Sequence, residues 1–250
     1  MQKMDFYFSP CCKRMLYSGQ EVKKMNAQKE PLKLEILRAL SGRIQFDSLE
    51  DKHFESLEKG YKGEQDWNQH MKCIKIGHIH LLDLLLKVHS TFLQADSLPI
   101  TERTIYLFEI KNFEGNFIFE NDRWYTSSKV EIPNPLNQLK RTELLLKRIL
   151  QNLGFSQEIE SYLIFVNPLF HLYHSPIHQS IIFYPHIPQL LRRINARPSK
   201  IYPGLTVKAN KLKEEALTTS PFTNLPACEY TSLKKGIKCC CLLILCRKFP

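Results

Sequence analysis

The stretch FLQADSLPITERTIYLFEIKNF, residues 92–113, decides the fold. Residues 92–100 and 105–113 are rich in leucine, isoleucine and aromatic side chains, and the polar residues 101–104 separate them, which predicts a β-hairpin. If Ile100 and Ile105 close the loop, Asp96 falls opposite Glu109 and Gln94 opposite Lys111. Side chains alternate along a strand, so Glu109 and Lys111 share one face, and the pairing brings Asp96 to that face too.

Carboxylates paired in this way have Cβ atoms about 4.5–5.5 Å apart, a destabilising arrangement for like charges. The return strand is otherwise apolar on both sides, with Ile105 and Leu107 on one face and Tyr106, Phe108 and Ile110 on the other. A buried strand that ends in Glu-Ile-Lys carries charge at a desolvation cost. A divalent cation bridging Asp96 and Glu109, with Lys111 beside it, offsets the repulsion; Mg²⁺ takes one or two carboxylates and keeps several waters. The E-x-K triplet alone says little, since Glu21-Val22-Lys23 repeats it near the N-terminus, and Glu109 with Lys111 also fits a solvated pair at a strand end. Pro99 removes a ladder donor and can introduce a bulge that shifts this register.

Outward from the hairpin, IHLLDLLLKV (79–88), GNFIFE (115–120), DRWYTSS (122–128) and SYLIFVNP (161–168) read as further strands. Asn134 as N-cap and Pro135 at the first helical position open a helix that Gly154 stops. A short helix is expected over PLKLEILRALSGR (31–43). Another is expected to start at Gly63-Glu64, where Trp67, Met71 and Ile74 recur at helical spacing and Glu64 lies in the first turn, a position the dipole favours for a carboxylate. SIIFYPHIPQLLRRI (180–194) reads as a strand or loop feeding a helix, and residues 197–230 as a Pro-, Thr- and Ser-rich linker. Strands, then helix, then strand make an α/β domain with a mixed central sheet flanked by helices.

The expected organisation is a polar leader at 1–30, a helical extension at 31–59, the α/β domain at 60–175, and at 176–250 a C-terminal extension with a poorly structured, Cys-rich tail. The 250 residues are 43% hydrophobic, enough for a sizeable core. Thirty-five Lys and Arg against 25 Asp and Glu give a net charge of +10, which favours polyanionic partners. No apolar leader and no run of about 18 apolar residues occurs, so a cytoplasmic protein without a membrane partner is expected.

The pieces GYKGE (60–64), LQADS (93–97), FEIKNFEG (108–115), Trp124, NPLNQLKR (134–141) and FVNP (165–168) together resemble the nuclease-related domain (NERD) family of the restriction-endonuclease-like PD-(D/E)XK group, in the family's order and with similar spacing. The resemblance covers roughly half the chain; Pro99 departs from it, where the family continues an apolar strand. It implies a restriction-endonuclease-like fold and metal-dependent phosphodiester hydrolysis of DNA, with RNA as an alternative substrate. Asp96 and Glu109 would be ligands of Mg²⁺ or Mn²⁺, Lys111 would position or activate the attacking water, Glu64 would be an accessory acid, and Gln138 would orient water, metal or phosphate. For Gln138 a solvated helix position stays open. Lys140, Arg141, Lys147 and Arg148 would supply phosphate contacts, or else form a solvated helix face. The rival function is a catalytically silent nucleic-acid-binding or scaffolding module on the same fold.

Eight cysteines, at 11, 12, 73, 228, 239, 240, 241 and 246, gather mostly at the two ends. The C-terminal spacings are C-x-C and C-x₄-C, a poor match to paired C-x₂-C zinc knuckles, with Cys228 as the one further ligand candidate. His171, His174 and His178 are read as part of a surface loop, because Pro176 interrupts any helix between them. His78 and His80 are read as a strand pair without assigned function.

Overall fold

A computed structural model describes residues 22–24, 28 and 30–217. The expected features at Cys228 and in the Cys-rich tail lie outside the described residues.

Helix α1 (Leu32–Ser41) buries Leu34, Ile36, Leu37 and Leu40 and stops at Gly42. Helix α2 (Ser48–Met71) begins at a capping box. The Asp47 carboxylate accepts the N–H groups of Leu49 and Glu50 at 2.8 and 2.7 Å, and the Glu50 side chain accepts the N–H of Asp47 at 3.2 Å. The expected helix start at Gly63 is therefore corrected: Glu64 lies deep inside α2, and no dipole at a first turn explains its carboxylate. The physical reason is that α2 buries only Gly63, Trp67 and Met71. The apolar period surfaces in its last turns alone, while the polar first half rests on the cap and on Phe54 and Leu57, which pack against α1.

Ten strands form two mixed sheets among the described residues. The six-stranded sheet contains β1 (Val22–Lys24), β2 (His78–Val88), β3 (Thr91–Ile100), β4 (Thr104–Lys111), β8 (Glu158–Phe165) and β10 (Ile181–Ile182), in the order β1-β2-β3-β4-β8-β10. The β2-β3 and β3-β4 pairs are antiparallel, and β4 runs parallel to β8 over Thr104–Lys111. A parallel pair requires a long crossover. Here it contains β5 (Gly115–Glu120), β6 (Arg123–Thr126), β7 (Glu131–Ile132) and helix α3 (Pro135–Asn152). Together with β9 (Phe170–Tyr173), β5 to β7 make the second sheet, ordered β7-β6-β5-β9.

The large sheet is buried on both sides, as the sequence of β4 anticipates. Ile105 and Leu107 belong to the core formed with Leu136, Leu139, Leu146 and Leu150 of α3, whereas Tyr106, Phe108 and Ile110 join Trp67 and Met71 of α2 and Ile187, Leu190 and Ile194 of α4 (Ile187–Asn195). The linker expected over 197–230 is corrected within its described part: Pro203–Glu214 is helix α5, which buries Leu205, Ala209 and Leu212 against the first core. Its i, i+4, i+7 pattern is short, and Pro and Thr in the flanking sequence mask it.

Candidate active site

The hairpin register is the expected one: Ser97 pairs with Phe108 and Ile100 with Ile105. Pro99 stands opposite His80 and does not shift it. The irregularity falls at Asp96. The β2-β3 ladder pairs Leu82 with Ser97 and Leu84 with Ala95, but leaves out Asp83 and Asp96 between them. Along β2 the residues of the α3-side core are Ile79 and Leu81, then Leu84 and Leu86; along β3 they are Leu93 and Ala95, then Leu98 and Ile100. Each strand thus slips its alternation by one residue at the same level, and Asp83 takes a φ of +46°. Strict alternation was expected to carry Asp96 to Glu109; instead Asp96 sits in this double irregularity. Its carboxylate turns to β4 and accepts the Ile110 N–H at 2.8 Å.

Glu109 is 2% exposed. Its Oε1 accepts the Lys111 ammonium at 2.8 Å and the Gln138 carboxamide at 2.6 Å, and Lys111 also donates to Gln138 Oε1 at 3.1 Å. Gln138 reaches this triangle from the start of α3, whose phase is set by Asn134 capping the Leu136 N–H at 2.9 Å and by Pro135. The other Glu109 oxygen, Oε2, is buried without a hydrogen-bond partner. Such an orphaned acceptor costs about 1–3 kcal/mol, more when charged.

Glu64 enters from α2. Gly63 lets the helix close on the end of β4, since a Cβ there would lie 2.6 Å from Cβ of Asn112. Burial and then the charge of Asp83 push the Glu64 carboxyl up to about 7; a hydrogen bond from Gln28 opposes, Glu109 adds to the rise, and Lys111 opposes. Asp96 is held well above the usual carboxylate range by burial, then by Glu109 and Glu64, against the Ile110 N–H and Lys111. Four carboxylates, Asp83, Glu64, Asp96 and Glu109, therefore act on one another around the single ammonium of Lys111.

Two of these neighbours escaped the sequence reading. Asp83 goes unremarked within the strand IHLLDLLLKV, although a lone carboxylate there is itself a signal. Gln28, assigned to a leader, donates to Glu64 Oε2 at 2.9 Å and accepts from Asn68 at 2.5 Å. Nothing in its local sequence marks that role.

The donor set suits a hard divalent cation. Mutually repelling carboxylates and an unpartnered buried oxygen are relieved by positive charge, and the chemistry is all oxygen. Among the described residues no three His, Cys, Asp or Glu side chains are grouped to hold a metal by themselves. Asp96 and Glu109 would therefore supply two ligands, the others coming from water, backbone or substrate.

A family model for the nuclease-related domain matches residues 59–166. Residues 59–166 are a nuclease-related domain. They belong to the PD-(D/E)XK kind. No curated protein and no solved structure gives a match to the chain.

The nuclease-related domain includes Glu64, Asp83, Asp96, Glu109, Lys111 and Gln138, and Gln28 reaches it from outside. It also includes Lys140, Arg141, Lys147 and Arg148, which the structure places on the exposed side of α3. Leu144, 64% exposed, lies among them. Of the histidines read as a loop, His171 lies on β9 and His174 adopts a φ of +55°. His78 and His80 are buried in β2, each 1% exposed. No helix among the described residues is long and apolar enough to cross a membrane.

Proposed function

We propose that the protein is a metal-dependent nuclease that hydrolyses phosphodiester bonds of DNA, with Asp96 and Glu109 as ligands of Mg²⁺ or Mn²⁺. The observation that carries the reading is the Glu109 side chain, buried with Oε1 doubly hydrogen-bonded and Oε2 left without a partner, beside the half-buried carboxylate of Asp96.

When bound, the cation would polarise the scissile phosphate and lower the pKa of a water. The chain's own groups then have definable tasks. Lys111 holds positive charge where the phosphate becomes more negative, and Gln138, bonded to both Glu109 and Lys111, fixes the direction of each. Glu64, with its carboxyl pushed to about 7, can exchange a proton near neutrality and serves as an accessory acid. Lys140, Arg141, Lys147 and Arg148, on the helix that delivers Gln138, offer contacts to the phosphate backbone.

Purified full-length protein with Mg²⁺ or Mn²⁺ is expected to cut plasmid or single-stranded DNA, with RNA run in parallel. Asp96→Ala and Lys111→Ala are expected to abolish cutting. Equal residual cutting by the variants overturns the assignment.

The second reading is a catalytically silent binding or scaffolding module. The lack of any three-ligand group of acidic, His or Cys side chains among the described residues favours it. Metal titration separates the two: the nuclease requires Mn²⁺ binding that depends on Asp96 and Glu109, and the scaffold does not.

A further inference from the structure

We propose that Ser97, bridging Trp67 and His80, is a positioning residue that holds the Asp96 irregularity in the geometry the nuclease site needs. This rests on the nuclease reading above and adds residues to it.

The indole N–H of Trp67 donates to Ser97 Oγ at 3.1 Å, and the same oxygen lies 2.8 Å from Nε2 of His80. An indole nitrogen can only donate, so Ser97 accepts from Trp67, while the imidazole tautomer of His80 sets which way the second hydrogen bond runs. Trp67, His80 and Ser97 are each 1% exposed, and the Trp67 ring meets Phe108 edge-on at 4.8 Å. A polar node in such an apolar layer has an obvious apolar alternative, so its value lies in specifying one arrangement.

The arrangement it specifies adjoins every acid of the site. Ser97 directly follows Asp96. It pairs across the sheet with Phe108, the residue before Glu109. Trp67 lies three residues, just under one turn, beyond Glu64 on α2. His80 comes from β2, the strand that carries Asp83. One buried hydroxyl therefore ties together α2, β2 and β3 directly beside the level at which both strands slip their alternation.

Hydrophobic pattern already favours the slip, because restoring strict alternation would turn Leu93 and Ala95 to the face opposite Leu98 and Ile100. The hydrogen bonds at Ser97 resist that restoration. They keep Ser97 on the α2 side, next to Trp67, while Ala95 packs on the α3 side, and Asp96 is left to turn its carboxylate to the Ile110 N–H. Neither Ser97 nor His80 touches a reacting atom; both act through Asp96 and Glu64.

The test uses the full chain and two variants, Ser97→Ala, which removes the node, and Trp67→Phe, which deletes one donor and keeps the ring packing. Ile194→Val, a shortened core residue on α4, is the control for lost stability. In metal-free protein, amide exchange at Ile110 reports the Asp96 hydrogen bond. Both variants are expected to speed that exchange more than the control does at matched global stability. In a Mn²⁺ titration of cleavage, half-saturation is expected to rise about tenfold, the lower end for lost support of a metal site, with the maximal rate little changed. Unchanged Ile110 exchange in both variants overturns the proposal whatever the cleavage assay reads. Faster Ile110 exchange in both variants, together with a wild-type protein that binds no Mn²⁺, keeps the positioning role and removes the nuclease reading instead.

Discussion

The carboxamide of Gln28 donates to the carboxylate of Glu64 at 2.9 Å, although Gln28 lies well before residue 59, where the family match begins. The same carboxamide accepts from Asn68, one turn further along α2. A residue outside the nuclease-related domain thus sets the orientation of one of its acids. Gln28→Ala is expected to raise the Glu64 pKa beyond about 7 and to lower stability by about 1 kcal/mol. Carbon-13 titration of the Glu64 carboxyl, together with urea unfolding, measures both effects; an unmoved Glu64 titration would contradict the contact.

The acids make metal-free stability fall with rising pH. Glu64 has a folded pKa of about 7 against an ordinary value of 4.5, so the folded state holds its proton more tightly than the unfolded chain does. Its favourable contribution is complete below about 4.5 and is lost as pH climbs through about 7; Asp96 adds a change of the same sign. The loss from Glu64 alone is on the order of 3 kcal/mol. Urea unfolding in EDTA between pH 4.5 and 8.5 is expected to record the decline, and Glu64→Gln to flatten it. A wild-type curve that rises over this interval would rule the mechanism out.

Asp96→Asn and Asp96→Ala should part company. Asparagine keeps an oxygen for the Ile110 N–H and removes a charge that Glu109 and Glu64 oppose, so metal-free Asp96→Asn is expected to melt above wild type while cutting no DNA. Alanine orphans the Ile110 N–H and forfeits about 1–3 kcal/mol. Calorimetry in EDTA orders the three proteins; Asn below wild type would mean that carboxylate repulsion is not the dominant effect.

Gly63→Ala tests the approach of α2 to β4. The added Cβ would lie 2.6 Å from Cβ of Asn112 and 3.3 Å from Cγ2 of Val166, so the helix must back away. A cost of about 1–3 kcal/mol is expected, as for other overpacked sites. DNA cleavage should fall further than stability alone explains, because Glu64 moves with the helix. Wild-type activity in a folded Gly63→Ala protein would show that the position of Glu64 does not matter.

Most strands were legible because their signals are local. The ends of β3 and β5 follow from turn residues and apolar runs, and α3 from Asn134 and Pro135. The hairpin register followed from one assumption at Ile100 and Ile105. The start of α2 and the whole of α5 were not read. In α2 the cap at Asp47 precedes a polar half-helix, and in α5 three buried residues are too few to outweigh flanking Pro and Thr.

The sequence by itself determined that Glu109 and Lys111 end a doubly buried strand and that Gln138 opens the next helix, since strand alternation and an N-cap act over a few residues. Only the tertiary structure decided how Asp96 meets them. Its place depends on β2 and β3 slipping together at Asp83 and Asp96, on Ser97 being held by Trp67 and His80, and on Gly63 admitting α2. Each is a contact between segments distant in sequence, and no local propensity encodes a contact whose energy exists only once both partners are folded.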